Sequence, residues 1–228
     1  MVKDISLWSG FSRMLIRDCL HSIKNPSQLL NPLLLFIIVS ASFPFAVNLS
    51  DDQLMIIGPG IIWVMAVLSF LLTLNNLYMT DAEDGCLDYI LLSPQPLPLL
   101  VVAKTCAHWL LSGLPLVITC PIIAIFYQMQ IDTILVMIAT LLMGTFALSL
   151  IGSIAASLTI SSNNNSILLS LLVLPITIPL LIFGAKTVIL YQEGSASLAG
   201  LYFIAAYCMF ALSFSPFVSA AALRIGVD

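Results

Sequence analysis

The side chains able to do chemistry are few in this chain and gather in two places. The segment from Thr80 to Pro98 holds Asp81, Glu83, Asp84 and Asp88, four of the chain's eleven acidic residues. Paired carboxylates do general acid–base work only where their environments differ and a pocket receives a substrate. A solvated loop supplies neither, and no histidine lies nearby in sequence, so this spacing points to docking of another protein rather than to catalysis or metal binding. Lys104 and His108, one helical turn apart, form the second group. A lysine near a membrane boundary can snorkel its ammonium to the headgroups. His108, about 6 Å deeper at 1.5 Å per residue, can hydrogen-bond a neighbouring helix or ligate iron. The five cysteines (Cys19, Cys86, Cys106, Cys120, Cys208) show no CxxC and no metal-ligand spacing, and are expected to pack as small apolar residues. The chain has no GxxxxGK[ST] phosphate loop, so it does not itself hydrolyse ATP.

These groups must be positioned by membrane-spanning elements. Of the 228 residues 61% are hydrophobic and only 8% charged, with a mean hydropathy of +1.12. A soluble domain carries about a quarter charged residues, so this is an integral membrane protein. The net charge of −4 leaves no basic footprint for nucleic acid. The apolar runs are continuous rather than alternating, which argues against an outer-membrane barrel. Cut at polar and turn residues, they predict six spans of about 29–47, 54–79, 104–127, 133–160, 166–190 and 198–223, in one domain covering 1–228. The polar run from Ser161 to Asn165 separates the fourth from the fifth, and no mid-span carboxylate offers an ion relay.

Lysine and arginine set the orientation, because cytoplasmic loops carry the excess. Six spans put Lys3, Arg13, Arg17, Lys24, Lys104 and Arg224 on one side and Lys186 on the other, where it reads as an interface anchor. Both termini are therefore expected in the cytoplasm, as is the segment 80–98. No cleavable signal is apparent, so the first span is expected to direct insertion. Residues 3–25 place Ile5, Trp8, Phe11, Leu15, Ile16, Cys19 and Ile23 at helical spacing, with charges on the other faces, which predicts an amphipathic helix lying in the interface. Leu87, Ile90, Leu91 and Leu92 repeat the pattern on a short helix that is acidic at its start and stopped by Ser93-Pro94 and Pro96. Small residues from Gly144 to Ser157 make the fourth span a packing helix or a contact between subunits. Pro175 and Pro179 favour a kink in the fifth, either a shaped or a moving one.

Several stretches carry a family resemblance, in order along nearly the whole chain. They are Pro59–Val64, Asp84-Gly85 with Leu91-Leu92-Ser93-Pro94, Ala103-Lys104 with Ala107-His108-Trp109, and Gly113–Leu116. Leu174–Phe183, Ser215-Pro216-Phe217 and Ala220–Ile225 complete the set. Through them the sequence resembles the heme exporter B family, the permease subunits of the cytochrome c maturation ABC transporter. The resemblance implies an all-α membrane protein with six transmembrane helices, an N-terminal interfacial helix and a cytoplasmic coupling helix, in the bacterial inner membrane. It further implies a partner ATPase in the cytoplasm, the heme-handling C protein and the small D protein of cytochrome c maturation, and a periplasmic heme chaperone. A second copy of the chain is also compatible with it. ATP energy would serve heme transfer or release of the loaded chaperone; the alternative is a non-moving scaffold for the heme-handling proteins. Asp81, Glu83, Asp84, Gly85, Leu87, Asp88, Leu91, Leu92, Ser93 and Pro94 match the place of the coupling segment. His108 and Trp109 are candidates for a passing heme contact, and no stably bound cofactor or metal is implied.

Overall fold

Helices are what so apolar a chain must form, because lipid offers no partner for backbone N–H and C=O groups. The computed structural model describes residues 7–24, 26–160, 165–195 and 199–227, and every regular element among them is helical. In chain order these are α1 (Leu7–Lys24), α2 (Pro26–Ala46), α3 (Asp51–Leu74), α4 (Asn76–Glu83), α5 (Cys86–Leu91) and α6 (Leu97–His108). A single π-helical turn (Trp109–Gly113) then leads into α7 (Leu114–Phe126), followed by α8 (Ile131–Thr159), α9 (Asn165–Gln192) and α10 (Ala199–Val227). Six stretches are long and apolar enough to cross a membrane: Pro26–Ala46, Asp51–Glu83, Leu97–Phe126, Ile131–Thr159, Ser166–Gln192 and Ala199–Gly226. The protein is an all-α membrane protein. Residues 3–6 and 25 of the amphipathic segment, and 161–164 of the polar turn, lie outside the described residues.

The third crossing differs from the boundary read off the sequence. Its helix begins at Leu97, about two turns before Lys104. Pro98 explains the early start, since proline at the first positions of a helix forfeits only an N–H that would be unpaired anyway. Lys104 is consequently buried in the bundle instead of snorkelling at its rim.

Several hydroxyls of the spans are satisfied inside their own helices. Thr105 Oγ1 donates to the Val101 carbonyl at 2.8 Å and Thr187 Oγ1 to that of Phe183 at 2.6 Å, so neither needs a partner in lipid.

The core forms where α8 runs between α3, α7, α9 and α10. Trp63 of α3 is fully buried at its centre. Gly144 of α8 and Gly184 of α9 lie against its ring, and a Cβ on either would overlap it. Gly152 does the same for Leu74, and Ser153 Oγ meets Ser219 Oγ of α10 at 3.1 Å. The small-residue stripe of the fourth span is thus occupied by helices of this same chain, the close approach that small residues permit in lipid. At the opposite end from α1, Tyr127 donates its O–H to the Ser40 carbonyl at 2.8 Å and ties α7 to α2.

Gly144→Val should lower the melting temperature of the detergent-solubilised protein, an overpacking cost of about 1–3 kcal/mol. Gly60→Ala, inside α3 where a Cβ would meet nothing within 4 Å, should not lower it, since alanine favours the helix over glycine. Equal melting of the two variants would show that the Trp63 contact does not limit packing.

Candidate functional site

The acidic segment is built by two short helices around one glycine. α4 closes with the Asp84 N–H donating to the Thr80 carbonyl at 3.0 Å and the Gly85 N–H to that of Ala82 at 3.2 Å. Gly85 then takes φ of +68° in open space, so it is the backbone angle and not crowding that calls for glycine there. This turn starts α5, which buries Leu87 and Ile90 and leaves Asp88 and Tyr89 outside. The segment closes at Ser93, whose Oγ accepts from the Gln95 N–H at 3.3 Å, and Pro96 precedes α6.

The residues singled out in the sequence divide into two groups. Glu83, Asp84, Asp88 and Pro94 are exposed, and with them Tyr89 at 79% and Leu92 at 83%. Helical spacing predicts Leu92 on the apolar face with Leu87, Ile90 and the half-buried Leu91. α5 ends at Leu91, however, and although the Leu92 N–H still donates to the Asp88 carbonyl at 3.0 Å, its side chain is exposed. Asp81 also separates from the exposed acids, because α4 turns it inward.

There it joins a cluster of four charges from three helices. Arg17 Nη2 donates to both Asp81 carboxylate oxygens at 3.1 Å, and its Nε donates to Asp18 Oδ1 at 2.9 Å. Lys104 Nζ donates to Asp81 Oδ2 at 2.5 Å and to Asp18 Oδ2 at 3.2 Å. Each carboxylate therefore meets two cations and each cation two carboxylates, which ties α1 to α4 and α6. Partial burial opposes the Arg17 charge, but the Asp18 and Asp81 carboxylates outweigh it and hold its pKa above the usual guanidinium value. Burial, with the Asp18 charge beside it, raises the Cys19 thiol pKa, so it lacks the lowered pKa of a reactive cysteine.

One turn past Lys104, His108 fills both ring nitrogens with hydroxyls. Nδ1 lies 3.1 Å from Ser149 Oγ of α8, and Nε2 lies 3.0 Å from Thr73 Oγ1 of α3. The ring meets Phe70 edge to face with centroids 5.2 Å apart. A neutral imidazole has one donor and one acceptor nitrogen, so these contacts use both. Trp109 turns to α8, where its Nε1 donates to Thr145 Oγ1 at 3.0 Å and its ring meets Phe146. No sequence signal marks Asp18 as a partner of Lys104, nor Thr73 and Ser149 as partners of His108. The only hint of a shared face is the one-turn spacing of Lys104 and His108. Among the described residues no three His, Cys, Asp or Glu side chains gather to hold a metal ion.

The family model of the CcmB protein matches residues 9–226. The chain belongs to the CcmB family. It is 42% identical over 217 residues to the heme exporter protein B of Pseudomonas aeruginosa, covering 95% of this chain and 97% of the other. It is 39% identical over 220 residues to that of Haemophilus influenzae, covering 96% and 99%. With that of Escherichia coli K12 it shares 40% over 212 residues, covering 91% and 94%. Within this CcmB family chain both the exposed acidic segment and the buried charge cluster fall inside the matched region.

Lys104→Met would leave two largely buried carboxylates short of a cation, and breaking such a pair costs about 3–5 kcal/mol. The variant should melt well below the native protein in detergent, and Lys104→Met with Asp81→Asn should recover part of the loss. A double variant no more stable than the single would show that the two side chains do not interact.

Proposed function

We propose that this chain is the membrane permease subunit of a heme-exporting ABC transporter of c-type cytochrome biogenesis. It takes energy from a separate ATPase docked on Glu83 to Pro94. The observation that carries this is the divided surface of α5. Leu87 and Ile90 anchor the segment in the bundle while Glu83, Asp84, Asp88, Tyr89 and Leu92 stand free at its end. A protein partner with a cationic, partly apolar groove complements that face. The heme cargo is taken from the name of the relatives, heme exporter protein B. The missing phosphate loop supports the reading that ATP is hydrolysed by another chain.

In this reading the protein lies in the bacterial inner membrane with both termini and α5 in the cytoplasm, as the lysine and arginine distribution favours. The wider complex comprises the heme-handling C protein, the small D protein and a periplasmic heme chaperone. Motion passes from α5 through Gly85 into α4 and α3 on one side and through Pro96 into α6 on the other. Heme transfer or release of the loaded chaperone is the work done. The hydroxyl contacts on both nitrogens of His108 favour a structural imidazole over a standing heme ligand.

Asp84→Lys with Asp88→Lys should abolish co-purification of the ATPase from membranes while the variant still inserts and melts like the native protein. Undiminished recovery of the ATPase would remove the docking assignment.

A further inference from the structure

The first helix, α1, has one face in the bundle and two outside it. Met14 and Asp18 turn inward against α6 and are buried there. On the far side Ile16, Leu20 and Ile23, at spacings of four and three, each leave more than half of their surface exposed, and Trp8 leaves 74%. Between these faces runs a cationic edge of Arg13, Arg17 and Lys24, at spacings of four and seven. Arg17 is committed to Asp18 and Asp81. Arg13 and Lys24 are exposed and meet no carboxylate among the described residues. Three of the chain's seven basic residues thus fall on these 18 residues, in a protein of net charge −4.

Two attachments fix the level of α1 in the membrane. Only one residue separates Lys24 from Pro26, where the first crossing starts. Asp18 is bonded to Lys104, which lies about 10 Å along the third crossing from its start at Leu97. The helix therefore lies beside the first turns of two crossings and not above them, so its outer face stands at the level of the headgroups and first acyl carbons. An exposed apolar stripe flanked by unpaired cations is the pattern by which a helix settles in the interface and draws anionic headgroups. Trp8, stacked on Phe11 with centroids 5.7 Å apart, supplies the aromatic anchor favoured at that depth.

We propose that α1 is a binding surface for anionic phospholipids. Trp8, Ile16, Leu20 and Ile23 lie among the upper acyl carbons, and Arg13 and Lys24 meet headgroup phosphates. The two cations are about 16 Å apart along the helix, too far to share one phosphate, so each meets its own. Charge decides the class of lipid. A zwitterionic headgroup brings an ammonium with its phosphate, whereas an anionic one leaves the attraction uncancelled, about fivefold in affinity for each cation. This surface is separate from the ATPase docking proposed above, because none of its side chains belongs to α4 or α5.

The test places the full-length protein in phosphatidylcholine nanodiscs with a minor share of brominated phosphatidylglycerol or, separately, brominated phosphatidylethanolamine. Bromine quenches tryptophan fluorescence on contact, and the Trp8 signal is the difference between the native protein and Trp8→Phe. Both lipids should quench it, with about fivefold less phosphatidylglycerol giving the same effect, and high salt should shrink that difference. Arg13→Gln with Lys24→Gln should bring phosphatidylglycerol down to the level of phosphatidylethanolamine while melting like the native protein in neutral detergent. Arg224→Gln, which removes an exposed cation from α10, should keep the preference. Equal quenching by the two lipids in the native protein would overturn the anionic assignment. So would a preference that survives the double variant, or one that falls as far in Arg224→Gln. No quenching by either lipid would show that this face of α1 meets water or another protein, and would overturn the surface itself.

Discussion

The four-charge cluster of Arg17, Asp18, Asp81 and Lys104 is the constraint on which this end of the bundle depends. Taking an ion out of water costs several kcal/mol, and only close, multiply bonded geometry offsets it. Here the two carboxylates and two cations alternate, so that no charge is left with a single partner. Apolar side chains of the same volume would hold the helices together as well, but they would accept several placements of α1. We read the cluster as a device of register: α1 satisfies Asp81 and Lys104 together in only one position. It thereby fixes the helix that enters the acidic segment relative to the helix that leaves it.

Deeper in the membrane the same problem of placement is met without charge. Lipid gives no hydrophobic drive for one helix to prefer another, so van der Waals fit and small-residue contacts decide. Trp63 projects into a space that exists because residues 144 and 184 have no side chain, and Leu74 uses Gly152 in the same way. His108 joins the two regimes. Its ring bridges α3 and α8 through Thr73 and Ser149, one turn below the charge cluster and about one turn from the tryptophan-lined wall at Thr145. A shift of α6 at Lys104 must therefore be felt by α3 and α8 together.

The bilayer makes much of the fold legible from composition, since a charge-poor chain has to place its few polar residues between apolar runs long enough to cross. The all-α class and six crossings follow from that one requirement. Lys104 is misplaced by the same rule applied too strictly, when a charge is read as the edge of the apolar phase. In fact Asp18, 86 residues away, and Asp81 neutralise it inside the bundle. Pairing between distant segments leaves no periodic trace, so Asp18, Thr73 and Ser149 are not legible as partners. Leu92 is exposed for a local reason: it still donates its N–H to the Asp88 carbonyl, but it follows the last residue of a six-residue helix, past the stretch that Leu87 and Ile90 pack into the bundle.

The removal of Asp81 into the cluster changes what the remaining acids can contribute to docking. Glu83, Asp84 and Asp88 are exposed, and exposed charges across an interface mainly steer encounter and exclude wrong partners, with salt weakening both effects. Affinity in protein interfaces rests instead on a few large side chains that become fully desolvated, tyrosine among the commonest. On this segment those are Tyr89 and Leu92, flanked by the acids and carried on a helix whose opposite face is anchored by Leu87 and Ile90. In the docking proposed above, the acidic residues therefore select the partner and Tyr89 with Leu92 hold it. Because Leu87 and Ile90 pin α5 to the bundle, a pull on Tyr89 is borne by the helices on both sides of the segment and not absorbed by a loose loop.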